Sequence, residues 1–237
     1  MKNQYFGDVN DYRKYGLLRG LAQEGRFRLG VCWMLTPNDG RSDGRFTDYL
    51  AHPAQWRQFD PPLFDSLTRA VASPRGRSVS QVPDLGFLPG ALFFQALLSD
   101  QPDRRGEYLA EMRDAFANAE LIFFDPDNGL EVKSRPFGSG GSSKYLYWLE
   151  ASEAFQRGHS LLIYQHFPRQ KRSAFLSRIG HEISEKVHSR DVCAAVTSNV
   201  GFFLALQPVH AERGRQALAS VSRRWAGQID YLLDLAA

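Results

Sequence analysis

The chain has 237 residues, of which 43% are hydrophobic, 13% aromatic and 23% charged. That much apolar surface offsets the ordering entropy of a folded core and excludes a disordered chain, and the length excludes several large domains. With 29 basic against 26 acidic residues, a net charge of +3 excludes a protein held on nucleic acid by bulk charge, though not one with a local basic face.

Asp8 or Asn10 caps a first helix, in which Tyr12, Tyr15, Leu17, Leu18 and Leu21 recur at helical spacing up to Gly25. The run 28–35 is almost wholly apolar and stops at Thr36-Pro37-Asn38-Asp39-Gly40, as a strand buried on both faces does. A polar loop follows over 38–48; Asp39, Asp43 and Asp48 read as exposed there, with Asp39 near enough to the strand end to join a site. Prolines break the stretch 49–103, where helices are expected at 62–72 and 89–98 and a short strand at 78–82. A helix begins at Arg105 with Tyr108, Met112, Ala115 and Phe116 inward. A second buried strand, 119–124, ends at Asp125.

The Gly/Ser tract 138–143 reads as a mobile loop. Next come a helix over 144–155 with Tyr145, Leu146, Leu149 and Phe155 inward and a third buried strand, 160–164, leading into Gln165-His166-Phe167. A basic helix over 168–186 carries Arg169, Lys171, Arg172 and Arg178. The runs 192–196 and 201–206 are too close to be joined by a helix and form an antiparallel hairpin. Cys32 and Cys193 lie inside apolar runs and read as buried thiols of a reducing compartment, too few for a metal cluster. The opening residues lack the apolar core of a signal peptide and no run reaches the length of a membrane span, so a cytoplasmic, non-membrane protein is expected.

The expected fold is one α/β domain over 1–237: a three-layer, Rossmann-like, mostly parallel sheet with a C-terminal antiparallel hairpin and helices on both faces. A small helical lobe has room only at about 49–103. Ligands of such sheets bind outside the carboxyl ends of the strands, which selects 36–40, 125–131 and 165–167 as the candidate site.

The sharpest feature is Asp125-Pro126-Asp127-Asn128-Gly129. Carboxylates directly after a buried strand are costly unless solvated, paired or functional. They read as a helix cap and tight turn, or as chemistry of three kinds. One is methyl transfer, in which Asp-Pro accepts hydrogens from an exocyclic amine. Another is metal-dependent phosphoryl transfer by a nuclease or phosphatase, with Asp125 and Asp127 on a divalent cation and Glu131 assisting. The third is the Asp-x-Asp of a sugar-nucleotide transferase. The closing hairpin favours the first, since the last two strands of class I methyltransferases form such a hairpin at the sheet edge.

On these residues the chain resembles the class I, S-adenosylmethionine-dependent methyltransferases, nearest the bacterial 23S ribosomal RNA adenine-N6 methyltransferases of the J type. Gly7, Asp11 and Lys14 match that family's opening block, with Tyr15 in place of its His. Thr36 and Gly40 match the ends of its cofactor loop, and Asp125-Pro126 its catalytic Asp-Pro; the final strand, helix and Trp225 are similar to its end. The chain also looks like an uncharacterised bacterial family sharing the opening Gly-Asp-x-x-Asp-Tyr-x-Lys-Tyr-Gly-Leu-Leu-Arg and the turn Phe-Asp-Pro-Asp-Asn-Gly-Leu-Glu. The first resemblance implies S-adenosylmethionine as cofactor and an RNA, DNA or nucleotide-like substrate. It implies Asp125 as a catalytic candidate and Asp11, Lys14, Thr36, Gly40 and Pro126 as cofactor-binding ones; by their places after the strands, Asp127 and His166 join the catalytic candidates and Asn38 and Asp39 the cofactor-binding ones. No aromatic follows Asp-Pro to stack on a flipped base.

Each candidate has a plainer reading. Lys14 reads as a solvated helix charge, or as a grip on a carboxylate or phosphate of the cofactor. His166 is a capping or core-edge histidine, or a general base. Tyr145, Tyr147 and Trp148 pack in the core, or one of them supplies the missing stacking ring. Lys144 sits where a lid would close on substrate, and the basic helix is a solvated face or an RNA track. The whole chain also reads as a non-catalytic binding module on a degenerate scaffold of the same kind.

Overall fold

The computed structural model describes residues 1–40 and 44–235; Asp43 of the expected acidic loop lies outside the described residues. In chain order the elements are α1 (Val9–Gln23), β1 (Leu29–Cys32), α2 (Pro53–Trp56), α3 (Pro61–Val71), β2 (Leu92–Phe94), α4 (Pro102–Ala115), β3 (Leu121–Phe124), β4 (Gly129–Leu130) and β5 (Tyr145–Leu146). They continue with α5 (Trp148–Gln156), β6 (Ser160–His166), α6 (Arg172–Val187), β7 (Asp191–Val196), β8 (Val200–Leu206), α7 (Ala211–Arg224) and β9 (Asp230–Leu232). Short 3-10 turns fill several connections.

The fold is α/β, built on a seven-stranded mixed sheet in the order β2-β1-β3-β6-β8-β7-β9, with β4 and β5 pairing separately. Strands β2, β1, β3 and β6 run parallel; β8 is antiparallel to both β6 and β7, and β9 antiparallel to β7. The apolar runs alternate between the two faces. Leu29, Val31, Leu121, Phe123 and Leu162 share a core with Tyr12 and Leu17 of α1, Leu63 and Leu67 of α3, and Leu218 of α7. Cys32, Ile122, Phe124, Leu161 and Ile163 share the other with Tyr108 of α4, Phe155 of α5 and Ile179 of α6. A strand covered on both sides needs no polar residues, which is why these segments carry no alternation in the sequence.

Register positions the site. Cys32 lies opposite Phe124, and Phe124 opposite Ile163, so the residues that follow these three come level at the carboxyl edge. Strand β6 runs on to His166, which pairs with Val200 at the start of β8.

Four expectations are corrected. The stretch 89–98 contains β2 rather than a helix: Leu92, Phe93 and Phe94 extend the sheet beside β1, because a tertiary pairing partner outweighs the helical preference of the run. The stretch 78–82 is a 3-10 turn over Val79–Leu85, whose Val79 and Val82 are buried and whose Ser78 accepts from the Ser80 N–H. Helix α5 begins four residues later than expected, and Leu149 faces solvent at 70% exposure. The Gly/Ser tract is pinned at its end: Asp100 accepts the N–H groups of Gly141 (2.8 Å) and Ser143 (2.6 Å), and Arg105 donates to the carbonyls of Ser142 (3.1 Å) and Tyr145 (2.7 Å).

Both cysteines are buried free thiols, and no helix is long and apolar enough to cross a membrane among the described residues.

Candidate functional site

Helix α1 is fixed by Asp8, whose carboxylate accepts the N–H groups of Asn10 and Asp11 at 2.9 Å each. This cap orients the first two turns so that Asp11 and Lys14, three residues apart, share one face. Strand β3 delivers Asp125 to the same place. The Lys14 ammonium lies 2.7 Å from Asp11 and 2.7 Å from Asp125, all three buried, and stands over the ring of Tyr164 at 5.3 Å. Lys14 is therefore not the solvated charge of the plainer reading.

The electrostatics of the triad follow from burial. Desolvation works against the Lys14 charge, but Asp11 and then Asp125 outweigh it and hold the ammonium above its ordinary value. For Asp125 desolvation wins over the attraction of Lys14 and its pKa is raised. Asp127 is treated differently: desolvation is outweighed by the Met1 ammonium at 2.7 Å, the Thr36 hydroxyl and Lys2, and its pKa is lowered. Asp8, buried and next to Asp11, is pushed up to about 7. His166, whose Nε2 lies 3.1 Å from the Tyr164 hydroxyl, has its pKa pushed down by desolvation and then by Lys14.

These groups border one cavity of about 800 Å³ at the carboxyl edge of the sheet. Such a volume lies within the ordinary range of small-molecule sites. Asp11, Lys14, Asp39, Asp125, Pro126, Asp127 and His166 of the expected residues line it, as does Lys144.

Thr36, Asn38 and Gly40 do not line it. Their loop faces the chain's own first residues: the Thr36 N–H donates to the Met1 carbonyl (2.9 Å), and Asn38 accepts the Gln4 N–H (3.3 Å). Asp39 pairs with Lys2 at 2.8 Å, and Lys2 reaches on to Asp127 at 3.5 Å. Thus Asp39 joins the Asp125 turn through Lys2. The loop that resembles a cofactor loop is packed under residues 1–4, which shifts the open space toward β3 and β6.

The turn after β3 is held by Gln165 of β6. Its side-chain oxygen accepts the Leu130 N–H (2.8 Å), and its amide donates to the carbonyls of Asn128 (3.4 Å) and His166 (2.9 Å). Gly129 has φ +108°, and a Cβ there would stand 2.3 Å from the Gln165 oxygen, so the turn needs glycine for both dihedral and space. Glu131 points elsewhere, accepting the Trp148 N–H at 2.8 Å. The three carboxylates of the metal reading thus have separate partners, and among the described residues no group of three or more His, Cys, Asp or Glu is placed to hold a metal ion.

Of the aromatic candidates, Tyr145 lines the cavity. Tyr147 packs under Arg105 and against Phe137, and Trp148 lies beneath Lys186. Of the basic helix only Arg178 reaches the cavity wall, beside Gln170 and Phe175. The sequence gives no signal for Lys2 as a wall residue, since the first residues carry no periodicity. Tyr164 hides among core positions. Phe46 is a large apolar residue alone in a polar loop, a signal that pattern matching passes over.

No family model, no curated protein and no solved structure matches this chain.

Proposed function

We propose that the protein is a class I, Rossmann-like S-adenosylmethionine-dependent methyltransferase acting on a nucleic-acid or nucleotide-like substrate. The observation that carries this reading is the convergence of Asp125-Pro126, the Asp11–Lys14 pair and His166 on one cavity at the carboxyl edge of the parallel strands. The antiparallel β8 inserted between β6 and β7 supports it as well.

The residues fit a ligand bearing both charges. Lys2 and Asp39, paired with each other at 2.8 Å on the cavity lining, would exchange that pairing for the carboxylate and amino ends of a methionine moiety. S-adenosylmethionine supplies a methyl group on a sulfonium, an electrophile needing no metal. The protein's part is to orient the acceptor and dispose of its proton. Asp125 and the Pro126 carbonyl are acceptors for an amine's hydrogens. Lys14, held protonated, cannot serve as base; it fixes Asp125 and offsets its charge. His166, its pKa held down, has its Nε2 engaged by Tyr164, which leaves the other ring nitrogen to exchange a proton with solvent or acceptor.

Calorimetry with S-adenosylmethionine and S-adenosylhomocysteine tests the reading: saturable binding is expected, weakened at least tenfold in Asp125→Asn. An absence of heat at millimolar ligand refutes it. A rise in melting temperature with magnesium or manganese, abolished by Asp127→Asn, would favour phosphoryl transfer instead.

A further inference from the structure

The cavity is divided by chemistry. Its floor is acidic, lined by Asp125 and Asp127, each largely buried. Its mouth is apolar and cationic. Phe46 borders it at 66% exposure and Val132 at 43%. A phenyl ring that open on a monomer is ordinary when isolated, but here it stands at the rim of the site.

The backbone that presents Phe46 is held at residues 44 and 46. The Phe46 carbonyl accepts the Val9 N–H at 3.0 Å, tying the residue to the first turn of α1. Two residues earlier, Gly44 has φ +80° and lies so close to Tyr5 that a Cβ would stand 2.2 Å from its ring. The backbone at Phe46 is thus tied to the first turn of α1, and among the described residues the side chain packs with neither core.

Lys144 also lines the mouth. Its carbonyl accepts the Asn128 N–H at 2.9 Å, so its backbone moves with the Asp125–Asn128 turn. Its ammonium makes no hydrogen bond or ion pair among the described residues. Every other lysine or arginine bordering the cavity is engaged: Lys2 by Asp39, Lys14 by Asp11 and Asp125, Arg178 by Glu182. An unengaged cation and an exposed ring bordering one cavity, over an acidic floor, are complementary to a nucleotide unit, with its planar base, exocyclic amine and phosphate.

We propose that Phe46 is the stacking platform for the ring of a nucleotide unit and Lys144 the contact for its phosphate. The ring lies flat on Phe46 with its amino edge toward the floor. This deepens the methyl-transfer reading and rests on the same cavity, and it places the stacking ring on the loop after β1 instead of after Asp-Pro.

The test is calorimetry on the full chain with three probes: adenosine 5′-monophosphate, cytidine 5′-monophosphate and, lacking a base, ribose 5-phosphate. S-adenosylhomocysteine is titrated in parallel. Phe46→Ala, an exposed position that leaves the fold intact, should weaken the nucleotides roughly tenfold and leave ribose 5-phosphate unchanged. Phe46→Trp should retain or tighten the nucleotides, and Lys144→Gln should weaken all three probes alike. Nucleotide affinity indifferent to Phe46→Ala overturns the proposal, as does S-adenosylhomocysteine binding with no nucleotide binding, which leaves methyl transfer standing. Phe46-dependent nucleotide binding without S-adenosylhomocysteine binding upholds the ring site and overturns methyl transfer.

Discussion

Lys14→Met removes the ammonium at the centre of the buried triad and keeps the side-chain volume. Asp11 and Asp125, each 2.7 Å from the missing charge, are left facing each other with no cation between them. Breaking a buried ion pair from one side costs about 3–5 kcal/mol, because the partner charge stays desolvated. With the lysine gone, the folded pKa of Asp125, already raised by burial, rises further. The cost is therefore greatest where both are ionised, at pH 7–8, and shrinks as pH falls toward the unfolded carboxylate range. Urea denaturation at pH 8 and pH 5 should give a loss of about 3–5 kcal/mol at the higher pH and a clearly smaller one at the lower. The double variant Lys14→Met/Asp125→Asn, left with one carboxylate and a neutral amide, should recover more than half of the loss at pH 8. A single variant within about 1 kcal/mol of the parent at both pH values would refute the triad as the source of order here.

Other outcomes follow from the same physics. Arg105→Met should cost about 3–5 kcal/mol by chemical denaturation, because it strands the buried Glu150 carboxylate and frees the carbonyls of Ser142 and Tyr145. Limited proteolysis should then cut within 138–144, where the parent resists. Gly129→Ala should lower the melting temperature by an amount equal to roughly 1–3 kcal/mol, since the positive φ and the clash with Gln165 both act. Adding Gln165→Ala should recover only the clash. Asp8 has a folded pKa of about 7 against an ordinary 3.8, raised by burial and then by Asp11. Its contribution to stability is thus present below about pH 4 and lost as pH rises through 7. Asp8→Asn, which keeps a capping oxygen, should gain on the parent by up to about 4 kcal/mol between pH 4 and 8, read from urea midpoints.

The legible parts of this molecule are those where local pattern and tertiary fate coincide. Runs 28–35, 119–124 and 160–164 are continuous apolar stretches, and only a strand covered on both faces tolerates them; β1, β3 and β6 lie within or across these bounds. Asp125 was visible as a carboxylate following such a run. The stretch 89–98 was misread because three residues, Leu92 to Phe94, are too few to print a period, and their pairing with β1 depends on residues sixty positions away. Lys14 carries the same ambiguity: its helix neighbours suggest a solvated charge, and only the register of β3 brings Asp125 to it. The Thr36–Gly40 loop illustrates the converse, since a local resemblance could not reveal that residues 1–4 lie across it.

The two ends of the sheet have a consequence for handling the protein. Its outer strands, β2 and β9, are three residues each, whereas β7 and β8 behind β9 run for six and seven. A short outer strand offers a neighbouring molecule few free N–H and C=O groups, which disfavours extension of the sheet by another copy. Strand β9 covers the apolar Asp191–Val196 segment, with Ala194, Ala195 and Val196 paired to Leu232, Tyr231 and Asp230. Shortening the chain ahead of Asp230 would uncover the edge of β7 at Ala194, Ala195 and Val196, an uncharged stretch of the composition that seeds aggregates.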